Sequence, residues 1–426
     1  MSALDRNMEL SCFTKEETLL FELIAESLNQ VTHKDCDVIE ADLGEILSLA
    51  EHQAVLPMLY PTLKTLPLTE EQLATANAAC KYTAMEYYQI FFLARDIIRL
   101  LEEQGISVVL LKGATVARFY PVAEARRSAD VDVLLPDRSQ LEQASQILEK
   151  AGYRCLDRQI TNHHQVWGTP DNHVLELHTT MIVEPFDQRD LNAYIESLYA
   201  LHTESIPHIR VMAVKLPALP EGLLAFHLLL HMLQDFLRMG FGLKLLCDWV
   251  VFWNHKVESK EVKAFLSYVA DCRLASFLNT ITSVCVQYLG LQTDGSGSFS
   301  REGDVLLYEC GQRPIMFCRM VSQELCENFL QEILEAERYG KPESNRTAVL
   351  RGTHLWDYMR EFHHQTVLGF PRTSRMVITL PVLYIVVFIR FMYNNRTVRE
   401  GQSLKAVLKK AKQRSRLVES MKLFKE

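Results

Sequence analysis

None of the ten cysteines stands in a CxxC pair, so the chain lacks the ligand spacing of a cysteine-built zinc site. Its first residues, MSALDRNMELSCF, hold no apolar run of the signal-peptide kind. These two absences lead to the expectation of a reducing, cytoplasmic setting with free thiols. Basic charge is not in excess: the formal net charge is −8, which argues against a protein that binds nucleic acid over its whole surface. There is no internal repeat and no low-complexity tract. A clean membrane span is missing as well. The most apolar run, Met376 to Tyr393, contains Pro381 and Arg390 and falls slightly short of the roughly 20 residues that a bilayer core requires. A buried or interfacial helix is expected there.

What is present is the material of a globular protein. The 426 residues are 48% hydrophobic and 23% charged, enough for two or three domains with sizeable cores. Charge is unevenly placed. Arg390–Glu426 carries eleven Lys or Arg against three Asp or Glu, so this tail is basic while the rest of the chain is acidic. Apolar residues recur at helical spacing within Ser403–Phe424, which predicts a basic amphipathic helix. Two roles compete for it: packing on the acidic body, the preferred reading, or docking on an anionic membrane surface or nucleic acid.

The first hundred residues read as helices. Thr14-Lys-Glu-Glu17 and Thr69-Glu-Glu-Gln72 are capping boxes, and the second opens a long helix that stops at Gly105. The pattern then changes. Ser107–Leu111, Val131–Leu135, Tyr153–Asp157, His164–Gly168 and His173–Thr179 read as strands, with an amphipathic helix over Ser139–Ala151. Beyond Glu221 the signal is helical again, at 221–238, 243–253, 262–268, 274–289, 323–337, 350–365, 377–394 and 403–424. Asp294–Ser300 reads as a loop. The expected division is an N-terminal helical region over 1–105, an α/β core over 106–215, and a C-terminal helical region with its basic tail over 216–426.

The chemistry concentrates in that core. In Ser128-Ala-Asp130-Val-Asp132-Val-Leu-Leu135 a strand places Asp130 and Asp132 on one face and Val131, Val133 and Leu135 on the other. Two carboxylates held side by side repel each other, and a divalent cation between them removes the conflict. Magnesium, which takes oxygen ligands and substrate phosphates, fits that need, as does manganese. In His173-Val-Leu-Glu-Leu-His178 the same alternation puts Glu176 and His178 on one face. If the two strands are neighbours, Glu176 completes a three-carboxylate site able to hold two ions. Upstream, Lys112-Gly113-Ala114 ends a strand. Gly113 permits close backbone approach, and Lys112 offers a point charge for phosphate. Each piece alone has a plainer reading: a solvated DxD face, a simple turn, a structural histidine.

Taken together, LLKGATVARFYP, RRSADVDVLLP and VLELH resemble the uncharacterised bacterial nucleotidyltransferase family within the polymerase-beta-like nucleotidyltransferase superfamily. The likeness covers about Ile106–Met181 well and is weaker near Phe226–Asp248. It implies an α+β fold with a nucleotidyltransferase-like mixed sheet flanked by helical regions. It implies metal ligation by Asp130, Asp132 and Glu176. Lys112, Gly113, Arg126, Ser128 and His178 fall at candidate nucleotide-contact positions, Arg126 being equally suited to supporting the fold. The chain departs from the wider superfamily in having Lys-Gly-Ala in place of Gly-Ser and a long gap from Gly113 to Asp130. The implied activity is transfer of a nucleoside monophosphate from an NTP, ATP being the first expectation, to an acceptor such as a small molecule, a glycan precursor or a protein. The alternative that the resemblance leaves open is a catalytically weak or inactive nucleotidyltransferase-fold binding partner, for example at the membrane face of a biosynthetic system.

Two further groupings are visible. His227, His231 and Asp235 recur one helical turn apart, a possible metal geometry. The favoured reading is a polar cluster that satisfies His231. Lys244 and Asp248 share the same spacing and read as an ion pair on a helix face, with contact to substrate as the other possibility.

Overall fold

The computed structural model describes residues 12–31, 41–156, 164–182, 189–202, 205–238, 240–293, 298–309, 313–335 and 377–397, together with scattered residues between 359 and 423. The helix expected over 350–365, and most of that over 403–424, lie outside the described residues. The arrangement is α+β, as expected.

The chain opens with helices α1 (Lys15–Asn29), α2 (Leu43–His52), α3 (Leu56–Leu63) and α4 (Glu70–Glu102). Both capping boxes are formed. The Glu17 amide donates to Thr14 Oγ1 at 3.1 Å, and the Gln72 amide to Thr69 Oγ1 at 3.2 Å, satisfying donors that a helix start leaves open.

Strands β1 (Val109–Leu110), β2 (Asp130–Leu134), β3 (Arg154–Cys155), β4 (His164–Gly168) and β5 (Val174–His178) form one mixed sheet in the order β1-β2-β5-β4-β3. The β2–β5 pair is parallel; the other neighbours are antiparallel. The short helix α5 (Ala114–Ala117) follows β1, and α6 (Leu141–Lys150) joins β2 to β3.

Alternation decides what each sheet face meets. Val131, Val133, Leu135, Leu175 and Leu177 are buried in one core with Trp167, Leu148 of α6, and Ile90, Phe91, Ile97 and Leu101 of α4. The second half of α4 thus belongs to the core of the sheet, although its first half, through Ala76, joins the core of the N-terminal helices. The opposite sheet face carries the acids and looks toward the helical body.

That body is built on α7 (Arg189–Leu198), α8 (Glu221–Arg238), α9 (Leu243–Asn254), α10 (Ser259–Asp271), α11 (Ala275–Tyr288) and α12 (Gln323–Glu335). Every residue of α9 from Leu243 to Trp253 is buried. A helix apolar on all sides must run through the interior, and α9 packs against α1, α5, α8 and α11.

Five strands escaped the sequence reading. Two form the hairpin of β6 (His208–Val211) and β7 (Val214–Pro217). The others are β8 (Phe299–Glu302), β9 (Val305–Tyr308) and β10 (Ile315–Arg319), which form an antiparallel sheet. The C-terminal region is therefore not wholly helical, and the loop expected through Ser300 gives way to strand at Phe299. These strands span four or five residues, too few for a period to show. The one legible signal was Gly303-Asp304 between two short runs, with Gly303 at φ 62°, a hairpin turn.

The last helix is α13 (Leu380–Thr397). Of the two arrangements expected of this run, buried or interfacial, the buried one is not found: Val382, Ile385, Phe388 and Ile389 are each at least 54% exposed, and Ile378 is 83% exposed. Among the described residues no helix is long and apolar enough to cross a membrane. Further on, Leu417, Met421 and Leu423 are buried in the main core, the packed arrangement preferred for the tail. Deleting residues from Ser403 onward should therefore lower unfolding stability by several kcal/mol, since each large apolar side chain loses burial worth about 1.5–3 kcal/mol. A truncated protein with an unchanged denaturant midpoint would contradict this packing.

Candidate active site

The site starts from the β2–β5 register. Asp132 pairs directly with Glu176, and Asp130 with Val174. The alternation read in each strand therefore lands Asp130, Asp132 and Glu176 on one face. Their ligand oxygens lie within 4.8 Å of one another. The adjacency of the two strands, an assumption from sequence, is present.

The electrostatics are lopsided. Asp132 is 3% exposed, and burial alone would raise its pKa. The Lys112 ammonium, 3.3 Å from Oδ2, and the His178 imidazole, 3.0 Å from Oδ1, outweigh burial and hold it well below the usual carboxylate range. Asp130 is less well supported. The adjacent Asp132 charge, then its own burial, outweigh the attraction of Lys112 and Lys244 and push its pKa up to about 6. The protein's own cations thus hold one carboxylate of the pair ionised more strongly than the other. Burial lowers the His178 pKa, but hydrogen bonds to Asp132 and to Glu176, 3.4 Å away, carry it up to about 9.

Gly113 caps α5 at φ 74°, ψ −115°, a region that costs an L-residue with a side chain. A Cβ there would meet nothing within 4 Å, so the dihedral rather than space demands glycine. The turn lies beside a small pocket lined by Lys112, Gly113, Ser128, Asp130, Asp132 and, from α4, Phe91. The helix it opens has only four residues and is buried, so a long helix start aimed at phosphate is not what this turn provides.

Arg126 resolves to one of its two expected roles. It is 2% exposed. Its Nε and Nη2 donate to Asp248 Oδ1 and Oδ2, both at 2.7 Å, and Nη1 donates to Ser128 Oγ at 2.7 Å. Tyr120 completes the cluster, its hydroxyl donating to Asp248 Oδ1 at 2.7 Å. Lys244 of α9 donates to the Arg127 carbonyl at 3.0 Å. Residues 126–128, which lead directly into β2, are thereby clamped to the buried helix α9. The Arg126 guanidinium is thus engaged in the clamp, the arrangement of a fold-supporting residue. Lys244 and Asp248, expected as an ion pair on a helix face, do attract one another; what differs is that both are buried and each also bonds the segment ahead of β2. The missed signal was the fully apolar α9 around them, which leaves a charged residue no solvent to face.

His231 sits in the expected polar cluster, with Nε2 3.3 Å from Lys112 Nζ and 3.5 Å from Asp235. Burial, then Lys112, push its pKa down. Tyr199 lies 3.4 Å from His227 Nδ1. Among the described residues the groupings of metal-ligating atoms do not include His227, His231 and Asp235. His164, which the sequence reading left aside, stands directly opposite His178 in the β4–β5 register.

A mixed sheet that brings three carboxylates together on neighbouring parallel strands, after a glycine turn bearing a lysine, defines the nucleotidyltransferase class of fold. Residues 40–290 match the family described as "Uncharacterised nucleotidyltransferase", and the chain belongs to that family. No curated protein matches it.

The position of Lys112 yields a prediction of opposite signs. It now stands where a cation would approach Asp132. In Lys112→Ala, magnesium alone should bind about tenfold more tightly, equivalent to about 1.4 kcal/mol. NTP affinity should fall by about 1.5–3 kcal/mol through loss of a charged contact. Calorimetric titration with each ligand checks both, and an unchanged NTP affinity in the folded variant would remove Lys112 from the phosphate.

Proposed function

We propose that the protein transfers a nucleoside monophosphate from an NTP, with ATP as the first nucleotide to test, to an acceptor hydroxyl or phosphate oxygen. The acceptor oxygen bonds to the α-phosphorus, the bond to the β-phosphate oxygen breaks, and pyrophosphate leaves. The convergence of Asp130, Asp132 and Glu176 within 4.8 Å carries this reading. The Asp130 carboxylate, whose pKa the neighbouring Asp132 charge and burial raise despite Lys112 and Lys244, is suited to a divalent cation. Magnesium or manganese bound there would polarise the α-phosphate and neutralise the departing charge.

The chain's own groups divide the remaining work. The three carboxylates hold and orient, and one of them accepts the acceptor's proton. His178 fixes the Asp132 carboxylate. Lys112, 3.3 Å from Asp132, would offer its charge to the phosphates. Gly113 keeps the backbone turn tight beside them, with Ser128 lining the same pocket. Arg126 acts from behind, through the clamp on β2. The acceptor class is a small molecule, a glycan precursor or a protein. Incubating the protein with labelled NTPs and cell extract should give a labelled product that depends on divalent cation and is lost in the Asp130→Asn/Asp132→Asn protein. Absence of both product and any NTP-dependent thermal shift would reject the reading.

A second reading, placement at a membrane surface, is favoured by one observation. Helix α13 shows solvent a row of Val382, Ile385, Phe388 and Ile389, and the sequence from Arg390 is strongly basic. Apolar insertion beside positive charge is the chemistry of anionic lipid binding. The full-length protein is expected to sediment with anionic but not neutral liposomes, and Ile385→Glu/Ile389→Glu should stay in the supernatant while melting normally. Equal sedimentation of the two proteins would remove α13 from the contact.

A further inference from the structure

The β4–β5 pairing sets His164 and His178 face to face as register partners. Glu176, two residues before His178, shares their side of the sheet. The three side chains converge. His178 Nε2 lies 3.4 Å from Glu176 Oε2, His164 Nε2 lies 3.8 Å from Glu176 Oε1, and the imidazole rings are 5.0 Å apart. Their ligand atoms all fall within 4.8 Å of one another. Ligands about 2.1 Å from a tetrahedral ion stand about 3.4 Å apart, so this spread closes on one ion with small side-chain adjustments. Asp132 Oδ1, 3.0 Å from His178 Nε2, is positioned as a fourth ligand, and an ion bound there takes the place of the His178 Nε2 proton, which is released to solvent.

Donor chemistry separates this group from the all-carboxylate one. Asp130, Asp132 and Glu176 offer only oxygen, which suits magnesium or manganese; two imidazoles and a carboxylate suit zinc, cobalt, iron or nickel. Glu176 belongs to both groups and has an oxygen for each. We propose that His164, Glu176 and His178 form a second cation site, selective for a borderline transition metal such as zinc, next to the oxygen site. The lysine and histidine partners of Asp132 leave the Asp130 side as the approach for a hard cation, while the strand pair β4–β5 presents nitrogen from the other side. The proposal does not depend on nucleotidyl transfer, since the site is complete without NTP.

Cobalt(II) tests it directly. The full-length protein, stripped with chelator and supplied with one equivalent of cobalt and no NTP, should develop visible d–d bands well above those of the aquo ion. Zinc should abolish them stoichiometrically, and a large excess of magnesium should not. His164→Ala and His164→Gln should each weaken cobalt binding by about 100-fold or more, at or beyond the loss seen when only a supporting partner of a ligand is removed. Circular dichroism on each variant verifies the fold. Asp130→Asn should retain the bands. X-ray absorption at zinc should show two imidazoles in the parent and one in His164→Ala. Bands no stronger than those of aquo cobalt, displacement by magnesium, or the same affinity in folded His164 variants would overturn the site. Loss of the bands in Asp130→Asn but not in His164→Ala would assign binding to the carboxylates alone. The outcome is independent of the labelled-NTP experiment, so either reading can fail while the other stands.

Discussion

Arg126→Ala is expected to lower unfolding stability by about 3–5 kcal/mol, the cost of leaving a buried charge without its partner. Arg126 and Asp248 are 2% and 1% exposed and share two bonds of 2.7 Å. Truncating the arginine strands a carboxylate that burial alone would protonate; the guanidinium now holds it below its ordinary range. Asp248→Ala should cost a similar amount by stranding the guanidinium. Arg126→Leu with Asp248→Leu removes both charges together, so its loss should fall well short of the sum of the two singles. Denaturant unfolding of the three proteins closes the cycle. Additive losses would show that the two residues act separately and that no clamp exists. Because Arg126, Arg127 and Ser128 precede β2, variants that still fold should also lose transfer activity without losing any group at the carboxylates.

The second large effect separates two residues that look alike in sequence. Asp130→Asn and Asp132→Asn should each reduce transfer by at least about a thousandfold, in the range of losing a principal electrostatic group. The metal-free protein should respond in opposite directions. A carboxyl whose folded-state pKa is raised binds its proton more tightly when folded. Asp130 therefore costs stability as pH rises from its ordinary 3.8 through about 6, and the cost persists above. Asp130→Asn removes that cost, so its melting temperature at pH 7 should rise and its profile between pH 4 and 6 should flatten. Asp132 is the reverse case. Its pKa is depressed by Lys112 and His178, so its contribution is present above the ordinary carboxylate range and fades only in strong acid. Asp132→Asn should lose about 1.5–3 kcal/mol, the scale of a charged hydrogen bond. Thermal melts with chelator present decide the matter. Two variants that shift the same way would show that the carboxylates are equivalent in the free protein.

Much of the candidate site was legible because period-two alternation is a local property. Val131 and Val133 against Asp130 and Asp132, or Leu175 and Leu177 against Glu176 and His178, assign faces before any partner is known. The capping boxes at Thr14 and Thr69 were equally local, each closing between residues three apart. The attraction between Lys244 and Asp248 was legible because their spacing is a local fact; their burial is not. Helix α9 is buried only because α1, α5, α8 and α11 surround it. The run in α13 left two arrangements open, buried or interfacial, because composition shows that a helix is apolar but not whether a complementary surface exists; its row of large apolar residues is exposed.

The sequence by itself determined the acids, their faces, the glycine turn and the family to which they point, since strand alternation and cap chemistry are fixed by neighbours along the chain. Only the tertiary structure decided that β2 and β5 lie side by side in parallel with Asp132 opposite Glu176, that Arg126 turns inward to Asp248, and that His164 faces His178. These depend on register and on which charges the core encloses. Such choices are set by the summed burial of residues that need not be neighbours in the chain, Arg126 and Asp248 being more than a hundred positions apart, and no local pattern records them.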